Sequence, residues 1–248
     1  STLGEIHFEK GDFARARAYQ LDSLTIRRVT GHKLGVVISL YDLGLCAYAE
    51  GDYALAQQYI EESLTLSQSI DNHAGTANNY HYLGMIAYQR GDYDQAHTYQ
   101  QQNLEVGQQH HDNQQIADAY ILAGFIYLKH QPNRAPAVFR QALLLTQDAS
   151  SPSLILKAVV GFARYYATQG NIQRAQQLAG MVYHHPFQAT SIKLWLNDLL
   201  PQLDVNNDPL ELKLRLQRAR TLDLDTEVHN LLVEFDDTTD EHNGERVI

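Results

Sequence analysis

The chain has 248 residues, 44% of them hydrophobic, and a formal net charge of −10. Those proportions fit an ordinary folded protein, and the lack of any run of about 18 apolar residues excludes a membrane-spanning helix. The acidic balance argues against nucleic acid, whose phosphates need a basic face, and the opening Ser1-Thr2-Leu3-Gly4-Glu5 has none of the charge and apolar pattern of a secretory signal.

From the N-terminus the dominant feature is repetition. Gly11-Asp12-Phe13-Ala14-Arg15-Ala16, Gly51-Asp52-Tyr53-Ala54-Leu55-Ala56 and Gly91-Asp92-Tyr93-Asp94-Gln95-Ala96 recur at a step of forty. Gly4, Gly44, Gly84 and Gly124 keep the same step, as do Tyr19, Tyr59, Tyr99 and Phe139, and Leu24, Leu64, Leu104 and Leu144. Four series sharing one period define a structural repeat. Gly51 and Gly91 suit the left-handed residue that ends a helix. Asp52 and Asp92 suit the N-cap of the next, and Gln95 completes a capping box with Asp92. Ala56 and Ala96 are small where two helices cross, and Tyr59 and Tyr99 are expected to pack against the next repeat. In the second copy the pattern predicts helix A over Lys33 to Ala49 and helix B over Tyr53 to Ser69. Turn-forming residues, Thr30-Gly31-His32, Asp71-Asn72-His73 and Asp112-Asn113, connect the copies.

The first copy starts inside its helix A, so the sequence is expected to be a piece of a longer chain. The fourth copy replaces Gly-Asp with His130-Gln131-Pro132-Asn133 and carries Pro136 where the others have alanine, which a helix tolerates only in its first turn. The fifth, with Phe162-Ala163, Tyr166, Gly170-Asn171-Ile172 and Ala175, is one residue shorter in step. After Pro186 the period is lost. Ile192, Leu194, Trp195, Leu196, Leu199 and Leu200 predict a mostly buried helix. Asp208-Pro209 opens another, although Leu210, Leu212, Leu214 and Leu216 alternate as a strand does. Val228, Leu231, Leu232 and Phe235 predict a last short helix. Residues 236–248 are acidic and expected to be disordered. Cys46 sits in an apolar helical stretch and reads as a core side chain; a single cysteine suits a reducing, cytoplasmic setting.

Leu40, Leu43, Gly44, Ala47, Gly51, Asp52, Tyr53, Ala56, Tyr59 and Leu64, with their counterparts from Tyr80 to Leu104, resemble the tetratricopeptide repeat (TPR) consensus. The usual unit is about 34 residues; here it is forty. The resemblance implies an all-α, right-handed superhelix of about five helix-turn-helix repeats over residues 1–185, with irregular capping helices over 186–235. The forty-residue variant is similar to the C-terminal arrays of bacterial STAND-class signalling ATPases and antibiotic-regulator-type transcription factors, where the array senses a ligand or protein. No phosphate-binding Gly-x-x-x-x-Gly-Lys-Ser/Thr run occurs in this sequence, so any ATPase would lie outside it.

The family's groove positions on helix A map to Ile38, Tyr41, Leu45 and Tyr48; to Asn78, His81, Tyr82, Met85 and Tyr88; to Asp118, Ile121, Phe125 and Leu128; and to Lys157, Val160 and Arg164. Aromatic and apolar residues of this kind anchor interfaces; the bland alternative is that they pack between adjacent A helices or under the C-terminal helices. The basic clamp that holds acidic C-terminal peptides is missing, its places taken by Tyr41, Leu45, His81 and Met85. The histidines His32, His73, His110 and His111 fall in successive connectors, about 10 Å apart if the repeats stack as helices do, too far to share zinc. No nucleophile, base and orienter can be grouped. The expectation is a non-catalytic sensor without cofactor or metal. It would bind a protein or peptide, the parent chain's own ATPase or effector domain included, or a small ligand, and neither nucleic acid nor membrane. The rivals are a stand-alone scaffold or co-chaperone and a metal-dependent hydrolase on the same scaffold.

Overall fold

The computed structural model describes residues 2–146, 151–187 and 189–236. Among them the secondary structure is entirely helical: α1 (Thr2–Glu9), α2 (Phe13–Val29), α3 (Lys33–Ala49), α4 (Tyr53–Ser69), α5 (His73–Gln89), α6 (Tyr93–Gln109), α7 (Asn113–His130), α8 (Ala135–Thr146), α9 (Pro152–Thr168), α10 (Ile172–His184), α11 (Thr190–Leu203), α12 (Pro209–Arg218) and α13 (Leu224–Glu234). Short 3-10 turns span Pro132–Arg134 and Ala219–Thr221. The acidic tail expected to be disordered lies, beyond Asp236, outside the described residues. The chain divides into two compact units, residues 1–122 and 123–248, with the division falling inside α7.

In unit 1 the period of forty has a simple origin. Each of α3 to α6 has 17 residues, and three-residue turns join them. After α3, the Gly51 N–H donates to the Tyr48 carbonyl and the Asp52 N–H to the Ala47 carbonyl, the paired bonds of a Schellman turn. Gly51 takes φ +81°, the left-handed conformation this turn requires. Asp52 then caps α4 by accepting the Leu55 N–H at 3.1 Å. The connectors use the same turn, with Gly31 at the left-handed position in one and Asp71 (φ 51°) and His111 (φ 52°) in the others. The boundaries expected for the second copy, Lys33–Ala49 and Tyr53–Ser69, coincide with α3 and α4.

Small residues hold each hairpin tight. Ala56 and Ala96 are fully buried. A Cβ on Gly44 would stand 2.5 Å from Ile60 Cδ1 and 3.5 Å from the Ala56 carbonyl oxygen; one on Gly84 would stand 2.6 Å from Leu122 Cδ2. The glycines thus admit a neighbouring side chain as much as a neighbouring backbone. The tyrosine series packs differently from the expectation. Tyr99 meets Tyr80 of its own hairpin, ring centroids 6.3 Å apart, and Tyr59 lies on the cluster of Leu24, Val36, Leu40 and Leu43. Both rest on their own helix A. Ala56→Leu is expected to overpack this crossing and to destabilise unit 1 by about 1–3 kcal/mol; an unchanged thermal melting curve would contradict the register.

In unit 2 the fourth hairpin turns through Gln131 and the 3-10 turn, and Pro136 sits in the first turn of α8. Leu143 is fully buried, whereas Leu144, expected to complete the leucine series, is 37% exposed. Phe139 keeps its place at 0% exposure, wedged where Gly124 and Gly161 lack side chains; a Cβ on either would overlap its ring. Gly170 (φ +76°) and the Asn171 cap repeat the turn logic between α9 and α10. The alternating leucines form helix α12, with Leu216 buried and Leu210 and Leu214 exposed; the Asp208 cap and the proline start outweigh the alternation. α12 packs on α10, where a Cβ on Gly180 would stand 2.5 Å from the Leu216 carbonyl oxygen. α13 is fixed by polar ties: the Tyr166 hydroxyl donates to Glu234 Oε1 (2.5 Å), Arg174 pairs with Glu227 (2.7 Å), and Arg140 Nε donates to the Leu232 carbonyl (3.1 Å).

Candidate functional site

The residues mapped onto the helix-A face fall into two sets, one in each unit. In unit 1, Tyr41 of α3 and Tyr82 of α5 meet edge to face, centroids 5.5 Å apart at 82°, and Tyr48 meets Tyr82 in the same way at 5.9 Å. Tyr41, Leu45, Asn78 and Tyr82 are half-buried, and Ile38 is exposed. Tyr48, His81, Met85, Tyr88, Asp118 and Ile121 are buried, packed among the helices rather than presented on the face. His81 Nδ1 lies 2.5 Å from Asp118 Oδ2, which links α5 to α7, and Gln115 Nε2 donates to Asn78 Oδ1 at 3.4 Å. The Tyr48 hydroxyl accepts from Gln89 Nε2 at 3.3 Å.

The electrostatics of this face are acidic. Burial holds the Tyr41 hydroxyl well above the usual phenol range, and Tyr82, Asp118 and Asp42 push it the same way, so it stays neutral. Helices α3 and α5 carry a single Lys or Arg, the exposed Lys33 in the first turn of α3. Burial also pushes the Cys46 thiol up to about 12, with Asp42 and Glu50 adding. At 1% exposure it is a protonated core residue with no reactive character.

Asp42 was not singled out by the mapping. It occupies the helix-A position held by Tyr82 and Leu122 in the following copies and accepts a hydrogen bond from the buried Gln20 at 2.8 Å. The signal in the sequence was a carboxylate interrupting the apolar run of α3. Burial pushes Asp42 up to about 6, Glu5 adds to the rise and Arg27 opposes it. A carboxyl raised in the folded state holds its proton there after the unfolded chain has lost it. Stability therefore falls as pH rises from about 4 to 6, and the cost is complete above that window. Asp42→Asn keeps an acceptor for Gln20 and removes the charge. It is expected to stabilise the chain by up to about 3 kcal/mol at pH 7 and by nothing at pH 4; thermal unfolding at both pH values measures the difference.

In unit 2 the mapped residues face the chain's own α11. Phe125 takes the edge of Trp195 at 4.4 Å, Lys157 lies over the Trp195 ring at 5.6 Å, and Arg164 donates to the Trp195 carbonyl (3.3 Å) and to Asp198 (2.7 Å) while its guanidinium sits over Phe125 at 5.5 Å. Leu128 and Val160 are buried. α11 packs on α9 here, and Phe125, Lys157 and Arg164 are engaged within the unit. The sequence identified Trp195 as buried but gave no sign of which face α11 covers.

The connector histidines also differ from the expectation. His73 and His110 stack with centroids 3.7 Å apart, well inside the spacing of about 10 Å expected for stacked helices. Stacked imidazoles hold their nitrogen lone pairs in two parallel planes that do not converge on one ion. Among the described residues no group of three His, Cys, Asp or Glu is placed to hold a metal.

Residues 1–69 and 37–109 match the family model of the tetratricopeptide repeat. Residues 1–109 carry TPR repeats. The crystal structure of BtubC (BKLC) from P. vanneervenii is similar in fold, with a TM-score of 0.57 and 16% sequence identity over 94% of this chain and 95% of that one. No curated protein matches the chain. TPR repeats generally mediate protein interactions, and the family is generally non-catalytic. No helix among the described residues is long and apolar enough to cross a membrane.

Proposed function

We propose that the TPR repeats of this chain form a non-catalytic binding module that takes a protein or peptide partner on the helix-A face of unit 1. The observation that supports this most is the pair Tyr41 and Tyr82, set edge to face on neighbouring A helices and half-buried. Aromatic side chains offer large contact area at low entropic cost and dominate interface energetics. Leu45 and Asn78 beside them supply an apolar contact and an amide. The module serves as the sensing part of a larger cytoplasmic signalling regulator, a role that rests on the resemblance of the forty-residue repeats to STAND-class and antibiotic-regulator arrays.

Peptides selected from a random-sequence display library on the wild-type chain test the site. The double variant Tyr41→Ala/Tyr82→Ala is expected to bind them about tenfold or more weakly while its circular dichroism keeps the helical spectrum. Selected peptides that bind the variant and the wild type alike would place recognition elsewhere.

A further inference from the structure

The charge of the helix-A face differs between the two units at equivalent positions. In the fifth copy the face supplies its own cations: Lys157 lies over Trp195 and Arg164 over Phe125. The positions equivalent to Lys157 are Ile38, Asn78 and Asp118, and those equivalent to Arg164 include Leu45 and Met85. Unit 1 therefore has a carboxylate, Asp118, where the fifth copy has Lys157, and apolar side chains where it has Arg164; its rings, Tyr41 and Tyr82, stand at other positions of the face. Tyr41 stands beside Tyr82 and feels both Asp118 and Asp42. The four arginines of α2 are engaged: Arg15 with Asp12, Arg17 with Glu50, Arg28 with Glu62, and Arg27 with the Gly35 carbonyl and Ser39 of α3.

We infer that the helix-A face of unit 1 recognises a basic peptide segment, seating an Arg or Lys side chain of the partner against Tyr41 and Tyr82 under the field of Asp118. This rests on the docking reading above and names the chemistry of its partner. A cation over an aromatic face is attracted by the ring quadrupole, and the attraction grows where water is partly excluded, as it is around half-buried rings. Perpendicular rings present a face and an edge to one pocket, and the nearby carboxylate sets the sign of the potential. The same chain already uses this kind of contact in unit 2, where the Arg164 guanidinium covers Phe125. An acidic segment would feel the charge of Asp118, buried and paired with His81, with no Arg or Lys from α5 to offset it, so it is disfavoured on the same ground.

Three labelled peptides of equal length test this by fluorescence anisotropy: one of alternating Leu and Arg, one of Leu and Gln, one of Leu and Glu. The Arg peptide is expected to bind about five- to thirtyfold more tightly than the Gln peptide, the Glu peptide most weakly, and the Arg advantage is expected to shrink as salt rises past about 0.15 M. Tyr82→Phe keeps the ring and is expected to keep the Arg preference; Tyr82→Leu and Tyr41→Leu, each checked for native helicity, are expected to lose it. Asp118→Asn is expected to reduce the preference for the Arg peptide. If the Gln peptide binds as tightly as the Arg peptide and still depends on Tyr41 and Tyr82, the cation is not recognised, although the face remains the docking site. Tightest binding by the Glu peptide overturns the inference as well. Binding by all three that is indifferent to Tyr41 and Tyr82, or by none, removes the docking reading and this inference with it.

Discussion

Phe139→Ala is expected to destabilise unit 2 by about 3–5 kcal/mol, the usual cost of deleting a fully buried phenylalanine. The ring has no exposed surface, meets Phe125 and Phe162 at 5.5 Å each, and fills the space left by Gly124 and Gly161. Two helices that approach closely around one ring cannot collapse onto the cavity without moving their backbones, which favours the upper part of that range. Thermal unfolding together with amide exchange in α8 and α9 would show the loss. A melting curve within error of the wild type would mean that Phe139 is not the keystone between α7 and α9.

Trp195→Ala should produce a loss of similar size, about 3–5 kcal/mol, with a different local signature. Trp195 is 7% exposed and is the side chain through which α11 meets both Phe125 and Lys157. The Arg164 bond to the Trp195 carbonyl is a backbone contact and survives the substitution, as does the bond to Asp198 on the same helix. α11 is therefore expected to loosen while keeping its tie to α9: amide exchange across Thr190–Leu203 should rise more than exchange in α10. Equal rises in both helices would indicate collapse of the unit rather than release of α11.

The repeats were legible because each boundary is written in residues whose chemistry acts locally. Gly51 takes a left-handed φ, Asp52 caps through its own side chain, and Ala56 is small at a helix crossing; none of these needs a distant partner to be recognised. The helix α12 was legible for the same reason, since Asp208 and Pro209 determine its start even though the leucines alternate. What was not legible depends on which surfaces meet. The covering of Phe125, Lys157 and Arg164 by α11 depends on how α11 packs against α9, which no period governs. The stacking of His73 on His110 depends on the lateral spacing of two connectors. The turning of Tyr99 onto Tyr80 depends on room left by Gly84, and the bond of Asp42 to Gln20 on the packing of α2 against α3. At the candidate site, the residue types on helix A were evident from the register, but their exposure was not. Met85, Tyr88 and Ile121 look like Tyr41 and Tyr82 in sequence and differ from them only by being packed away.

Hydrogen–deuterium exchange on the wild-type chain, with and without a saturating Arg-containing peptide, tests most directly whether the helix-A face of unit 1 is the binding surface. Slowed exchange in α3 and α5, with α4 and α6 unchanged, is the expected result. Protection confined to α4 and α6, or to α10 and α12, would contradict it.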